Sequence, residues 1–175
     1  MSVERWAALH GYNRMTSNHS APSPSSGLLG RTVRTGTALS SVTLAAIAAL
    51  SSIETGKPSA AINAISHCIH GDDRQFGDEL SVSESAVGTA VNTMAMFAWS
   101  FLYEWLVGSR KFKRAILPAV LFTGAAYVID YHIVPRRLSP GIEKRLTMGA
   151  VLGVYASMAV CLVSSSLWNR APRAL

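Results

Sequence analysis

Long apolar runs separated by short polar stretches make up most of the chain after residue 30. Four such runs can be distinguished, over about residues 33–53, 85–107, 115–134 and 146–168. Each is close to the ~20 residues that a helix needs to cross the ~30 Å hydrocarbon core of a bilayer. Barrel strands, by contrast, alternate apolar and polar positions and are about half as long. The pattern therefore predicts an all-α membrane protein, a four-transmembrane-helix bundle.

The stretch before the first run has a different composition. Residues 1–30 are rich in Ser, Asn, Pro and Gly, and a tract of this kind buries too little apolar surface to order itself. We therefore expect a flexible cytoplasmic tail over 1–30 and a transmembrane domain over 31–170. The first run also resembles a cleavable signal peptide, with Arg31 and Arg34 before an apolar core and small residues near Ala49. The long tail ahead of it favours a retained helix.

The composition supports a membrane protein. The chain is 49% hydrophobic and 15% charged, whereas soluble domains carry about 25% charged residues. No polar segment that could fold contains a run of basic residues interspersed with aromatic ones, which argues against nucleic-acid binding. Cys68 and Cys161 belong to no CxxC or zinc-type spacing. The lipid bilayer is therefore the expected partner.

The distribution of charge predicts the orientation. With both termini in the cytoplasm, the inner side carries ten basic and two acidic residues, and the outer side six basic and eight acidic ones. This excess of Lys and Arg inside follows the positive-inside rule. One outer loop departs from the rule, because it contains Arg136, Arg137, Lys144 and Arg145. The overall balance still predicts cytoplasmic N and C termini.

An aspartate near the end of the third run is the most informative polar residue. An ionisable group in hydrocarbon is costly, so Asp130 needs a partner, a water path or a function. In one interpretation Asp130 pairs with Arg136, Arg137 or Lys144 and balances their charge. In the other it relays protons within a polar cluster on the outer face. The predicted topology assigns these further residues to that cluster: Glu84, His132, Arg136, Arg137 and Glu143.

A loop before the second run offers ligands of a different kind. His67 and His70 share one face if this segment is helical, and Asp72 and Asp73 follow them. Imidazoles and carboxylates suit divalent transition metals. The HxxH spacing alone is weakly specific, so we expect no bound metal, with a divalent ion as the alternative cofactor.

Catalytic motifs are absent from the sequence. It contains no G-x-S-x-G, no Walker A loop and no Gly-rich dinucleotide fingerprint. We therefore expect a non-enzymatic accessory or envelope component. The alternative is a metal- or proton-handling membrane protein, active in transport or relay, that uses the polar cluster.

Small residues at four-residue spacing mark a packing face on the fourth run. Gly149, Gly153 and Ser157 share one stripe, and such stripes allow two helices to approach closely. The contact lies either within the bundle or with a membrane partner or second copy, as in a homo-oligomer.

Two further expectations concern the ends of the runs. Glu104 is expected to extend to the inner membrane surface or to pair with Lys111. Aromatic side chains near the ends are expected to form interfacial belts. They are Trp99, Tyr103, Trp105, Tyr127, Tyr131 and Trp168.

Two sequence segments resemble a known group of proteins. One is Asn63-Ala64-Ile65-Ser66-His67 with Gly71-Asp72, and the other runs from Tyr131 to Leu146. In these segments the chain resembles small uncharacterised bacterial membrane proteins, over roughly residues 33–168. The resemblance implies a location in the bacterial inner membrane and nothing about mechanism.

Overall fold

The computed structural model describes residues 24–71, 75–108 and 116–168. Within these ranges every regular element is helical. The α-helices are α1 (Pro24–Thr55), α2 (Ala60–Ile65), α3 (His67–His70), α4 (Val82–Tyr103), α5 (Ile116–Val128) and α6 (Met148–Trp168). Helix α4 continues as a π-helical turn over Glu104–Gly108 and α5 over Ile129–Ile133, and 3-10 turns follow at Arg136–Leu138 and Ile142–Lys144.

Three helical segments of the described chain are long and apolar enough to cross a membrane by length and composition: Gly27–Thr55, Ile116–Ile133 and Met148–Leu167. The prediction of four spans is therefore not confirmed. The predicted run 85–107 forms a helix, but polar residues such as Asn92 lower its hydropathy. The class of helical protein with membrane-compatible helices is confirmed.

The surface of α5 is strongly apolar. Most of its large side chains point away from the rest of the molecule, and exposed apolar patches of this kind mark contact with a membrane or a partner. The exposed residues are Ile116, Leu117, Val120, Leu121 and Val128. A helix of this kind fits a lipid environment better than water.

The first helix begins earlier than the sequence predicts. Helix α1 starts at Pro24, so the prediction of a flexible tail over 1–30 is wrong for residues 24–30. Proline is well suited to the first helical turn, where its missing N–H is not needed. The remainder of the predicted tail, residues 1–23, lies outside the described residues.

Helix α1 occupies the centre of the arrangement. It packs against α4 on one side and α6 on the other, and α5 packs against α6. One apolar cluster includes Ile47, Ile142 and Val151. A second lies nearer the N-terminus of α1 and includes Leu39 and Leu162. Both clusters combine side chains of α1 and α6, so this helix pair carries the core.

The interface between α1 and α4 contains a row of polar contacts, which we call the polar seam. Its members bond to one another: Ser100 Oγ donates to the Thr32 carbonyl at 2.8 Å, Ser40 and Thr93 hydroxyls lie 2.9 Å apart, and Asn92 Nδ2 donates to Thr43 Oγ1 at 3.2 Å. Asn92, Thr93 and Ser100, polar residues that lower the hydropathy of α4, therefore face α1.

One end of the bundle is covered by a cap, formed by the described parts of residues 57–81 and 134–147. Two glycines allow its backbone to approach closely. A Cβ on Gly88 would collide with the Ile62 carbonyl oxygen. Gly141 has a positive φ of 76°, and a Cβ there would collide with the His67 ring at Nδ1. Larger residues at either position would displace the cap.

Candidate polar site at the cap

Contacts between the loops hold the cap together. The Glu54 carboxylate accepts a hydrogen bond from the Thr147 backbone N–H at 2.7 Å. The Arg145 guanidinium lies 2.9 Å from the Asp78 carboxylate and also donates to the Phe76 carbonyl. The two loops that the predicted topology assigns to one side therefore lie together at one end of the bundle.

Asp130 lies in the π-helical turn that ends α5. Its carboxylate accepts a hydrogen bond from the Tyr155 hydroxyl of α6 at 2.7 Å. Among the described residues, the ion pairs within 4.0 Å do not include Asp130. The predicted pairing with Arg136, Arg137 or Lys144 is therefore wrong. The exposed side chains of both arginines lie too far away for an ion pair.

Asp130 borders two spaces in the structure. One is a cavity of about 90 Å³ inside the bundle, whose mostly apolar lining also includes Thr43, Asn92 and Tyr155. The other is a pocket of about 480 Å³ at the cap. It is lined by Asp130, Tyr131, Val134, Arg136, Ser139, Glu143 and Lys144. The carboxyl group thus lies between a largely apolar cavity and a pocket lined by charged side chains.

Aromatic rings cluster around Tyr155, the hydrogen-bond partner of this carboxylate. The Tyr127 and Tyr155 rings meet edge to face at 5.3 Å, and the Tyr131 and Tyr155 rings at 6.1 Å. The Tyr131 hydroxyl donates to Glu143 at 3.2 Å. His132 is exposed and contacts only the edge of this group, 6.0 Å from the Tyr127 ring. The structure thus brings Glu143 to the site and leaves His132 at its margin.

The two histidines of the predicted metal site make different contacts. His67 is fully buried, with Nδ1 2.9 Å from the Ala64 carbonyl oxygen and Nε2 3.3 Å from that of Arg136. His70 Nδ1 lies 3.2 Å from the Ser66 carbonyl oxygen. Carbonyl groups thus occupy the positions that a metal would need on His67.

The carboxylates of the predicted metal site, Asp72 and Asp73, lie outside the described residues. Within the described ranges, no group of three or more His, Cys, Asp or Glu side chains is arranged to hold a metal ion. Glu84 lies at the start of α4, where its carboxylate accepts the Gly77 N–H at 3.0 Å. It anchors residues 75–81 of the cap and does not join Asp130.

A second carboxylate, at the opposite end of the bundle, is buried where the sequence predicted a residue at the membrane surface. Glu104 is 2% exposed. Arg31 Nε donates to its carboxylate at 3.1 Å, and Thr35 Oγ1 donates at 2.7 Å. The prediction that Glu104 extends to the membrane surface is therefore wrong. Lys111, its other predicted partner, lies outside the described residues.

Tyr103, next to Glu104, also departs from its predicted role. It is 1% exposed, and its hydroxyl lies 2.8 Å from the Ser166 hydroxyl. The prediction of an interfacial belt is therefore wrong for this residue. Tyr155, Asn92 and Thr43 were missed as site residues. A polar side chain within an apolar run was the signal that could have identified them.

The small-residue stripe of α6 lies partly inside the bundle. A Cβ on Gly153 would lie 3.5 Å from Leu50 of α1, so this glycine faces a neighbouring helix of the same chain. Gly149 is exposed, and the Ser157 hydroxyl donates to the Val154 carbonyl of the same helix at 2.7 Å. A contact with a second copy through this stripe stays a prediction.

Comparison with protein-family models, with curated proteins and with solved structures gives no match. The resemblance to small bacterial membrane proteins therefore stays a prediction.

Proposed function

We propose that this chain is a multi-pass protein of the bacterial inner membrane with four membrane-spanning helices and cytoplasmic termini. The connectivity supports the fourth span. Helix α1 ends at the cap, where Glu54 bonds Thr147, and α5 also ends at the cap. The chain must return to the opposite end between them, and α4 is the helix that makes this return beside α1.

The polar residues of α4 are compatible with a span. In hydrocarbon every polar group needs an internal partner, and interhelical hydrogen bonds from Ser, Thr and Asn provide such partners. The polar seam supplies them for Asn92, Thr93 and Ser100. Lipid would then contact only the other faces of α4.

We further propose that the protein is non-enzymatic and handles protons at Asp130. The observation that carries this proposal is the position of Asp130 between the interior cavity and the charged pocket, with a neutral tyrosine hydroxyl as its partner. A carboxyl group without a cationic partner can change its protonation state without breaking an ion pair. Intramembrane carboxyl groups commonly serve in proton relays.

The polar seam offers a continuation of this path. Thr43 and Asn92 line the interior cavity with Asp130. From there the hydroxyl and amide contacts follow the α1–α4 interface toward Thr35 and Glu104. Groups that both donate and accept hydrogen bonds are suited to passing protons, either directly or through intervening water.

Proton flux in liposomes tests the proposal. The purified protein is reconstituted with a trapped pH-sensitive dye, and a potassium diffusion potential drives proton entry. We expect flux above that of empty liposomes, and we expect Asp130→Asn to remove it. Glu79→Gln is the matched control, because Glu79 is an exposed carboxylate of the cap that lines neither of the two spaces. Wild-type flux equal to that of empty liposomes would contradict proton handling and leave an accessory or envelope component.

Cysteine labelling tests the orientation separately. In a variant without the two native cysteines, Ser81→Cys should react with an impermeant reagent added from the periplasmic side. Ser109→Cys should react only after the membrane is opened. The reverse pattern would overturn the proposed orientation without bearing on the flux result.

A further inference from the structure

A long apolar groove lies on the outside of the bundle, between α1 and α6. Its volume is about 920 Å³, and it is formed by residues 33–42 of α1 and 157–165 of α6. Val33, Val42 and Val160 line it and remain exposed. The groove shares no lining residue with the two spaces around Asp130.

A basic side chain lies at one end of this groove. Arg34 is exposed, and its Nε donates to the Gly30 carbonyl of its own helix at 3.2 Å. Among the described residues, the ion pairs within 4.0 Å include Arg31 but not Arg34. A charged group on an apolar helix reaches toward the membrane surface for an ionic or polar partner. Arg34 therefore presents a cation where the groove begins.

The dimensions of the groove match one lipid leaflet. From Arg34 to Val42 the helix rises about 12 Å at ~1.5 Å per residue. Half of the ~30 Å hydrocarbon core is ~15 Å. Ser164 and Ser165 lie at the Arg34 end, and Ser157 lies at the deep end, because α6 runs antiparallel to α1. The groove thus extends from a cation at the membrane surface toward the bilayer centre.

We propose that the groove binds one anionic phospholipid, with its phosphate on Arg34 and an acyl chain along residues 33–42 and 157–165. Charge favours this occupant over a second copy of the chain. On the proposed topology the cytoplasmic side carries only Glu4 and Glu104 as acids. Glu104 is buried against Arg31, so a second copy exposes no side-chain carboxylate at this level outside its N-terminal tail.

Native mass spectrometry of the full-length protein in detergent tests the site. The protein is titrated with phosphatidylglycerol and with phosphatidylcholine of identical acyl chains. We expect one phosphatidylglycerol to bind preferentially. Arg34→Gln should reduce this preference about fivefold, which is the contribution of one basic side chain near an anionic surface. Arg34→Lys should retain it, because the charge is kept.

Two controls separate this site from general lipid adhesion. Lys57→Gln removes a basic residue at the cap end and should leave the preference unchanged. Val42→Trp should weaken binding of both lipids by obstructing the deep end of the groove. An unchanged preference in Arg34→Gln would overturn the proposal. So would equal binding of glycerol phosphate without acyl chains, or a lipid-free dimer that Val42→Trp dissociates.

Discussion

Two carboxylates, Asp130 and Glu104, both lie in π-helical turns, yet their surroundings differ. Glu104 is buried and bonds both the Arg31 guanidinium and the Thr35 hydroxyl. Asp130 is half-buried, bonds the Tyr155 hydroxyl and borders both the interior cavity and the pocket at the cap. One acid is thus held in an ion pair, and the other is left accessible.

The comparison shows how the surroundings of a carboxylate decide its role. An ion pair with several hydrogen bonds compensates the cost of burying charge, so Glu104 is suited to joining α1 to the end of α4. Asp130 makes one hydrogen bond to a neutral hydroxyl beside a cavity. This bond joins α5 to α6 more weakly, and it leaves the carboxyl group able to exchange a proton. Stability should therefore depend on Glu104, and activity on Asp130.

Loss of Glu104 should have the largest effect. Glu104→Ala leaves Arg31 without its carboxylate partner, and we expect a loss of about 3 kcal/mol, the lower end of the range for breaking a buried ion pair. The lower end applies because the Arg31 side chain is 26% exposed. Unfolding in mixed micelles, followed by tryptophan fluorescence, would measure it.

A double-mutant cycle with Arg31→Gln and Glu104→Gln sharpens this result. We expect the double variant to lose less unfolding free energy than the two single variants lose together, because removing both charges leaves neither one unpaired. Strict additivity would mean that the two side chains do not stabilise each other.

Gly141→Ala should have the next largest effect, this time at the cap beside Asp130. The positive φ of Gly141 and its close approach to His67 Nδ1 both oppose a Cβ. We expect a loss of about 2 kcal/mol or more, since the left-handed conformation alone costs roughly 1–2 kcal/mol. Faster labelling of the Cys68 thiol would report loosening of the cap.

Gly56→Ala is the matched control for this prediction. Gly56 also has a positive φ, 73°, but a Cβ added there would have nothing within 4 Å. Gly56→Ala should therefore lose the stability that a positive φ costs an alanine, without any collision of the added Cβ. An equal loss in both variants would show that the contact between Gly141 and His67 contributes nothing.

Asp130→Asn should affect stability only slightly. The asparagine side-chain carbonyl can still accept the Tyr155 hydroxyl, so we expect a change below about 1 kcal/mol, near the ~0.6 kcal/mol average for interhelical hydrogen bonds in membranes. The same unfolding measurement applies, with Tyr155→Phe as the comparison. A loss as large as that of Glu104→Ala would remove the proposed contrast between the two acids.

Lys57→Gln should have the smallest effect. The Lys57–Glu79 pair is short, at 2.5 Å, but its side chains are 47% and 78% exposed. The hydrogen bond to Glu79 raises the pKa of Lys57, so the pair is ionised at neutral pH. Exposed ion pairs nonetheless add little to stability. We expect no measurable shift in the unfolding midpoint, and a clear shift would show that distance matters more here than burial.

Local features of the helices could be predicted from sequence, because hydropathy is a property of neighbouring residues. The predicted runs 115–134 and 146–168 differ from the observed helical segments by at most two residues at either end. The start of α1 was missed because a Ser- and Gly-rich beginning resembles a disordered tail. Asp130 was identified because a carboxylate stands out in an apolar run.

The partners of these acids could not be predicted in the same way. Arg31 lies 73 residues from Glu104, and Tyr155 lies 25 residues from Asp130. For Asp130, charge and proximity in sequence favoured Arg136, Arg137 or Lys144, and they did not indicate Arg31 for Glu104. Which side chains actually meet depends on how α1, α4, α5 and α6 are rotated about their axes, and hydropathy alone does not specify that rotation.

By itself, the sequence determined the helical class, the apolar runs that suit a membrane and the presence of an acid within the third run. These follow from residue type and spacing along one chain segment. Only the tertiary structure decided that α4 turns its polar face to α1, that Glu104 is paired and that Asp130 opens onto two spaces. Those outcomes depend on contacts between segments far apart in sequence, because a buried polar group on one helix needs a hydrogen-bond partner on a neighbouring helix.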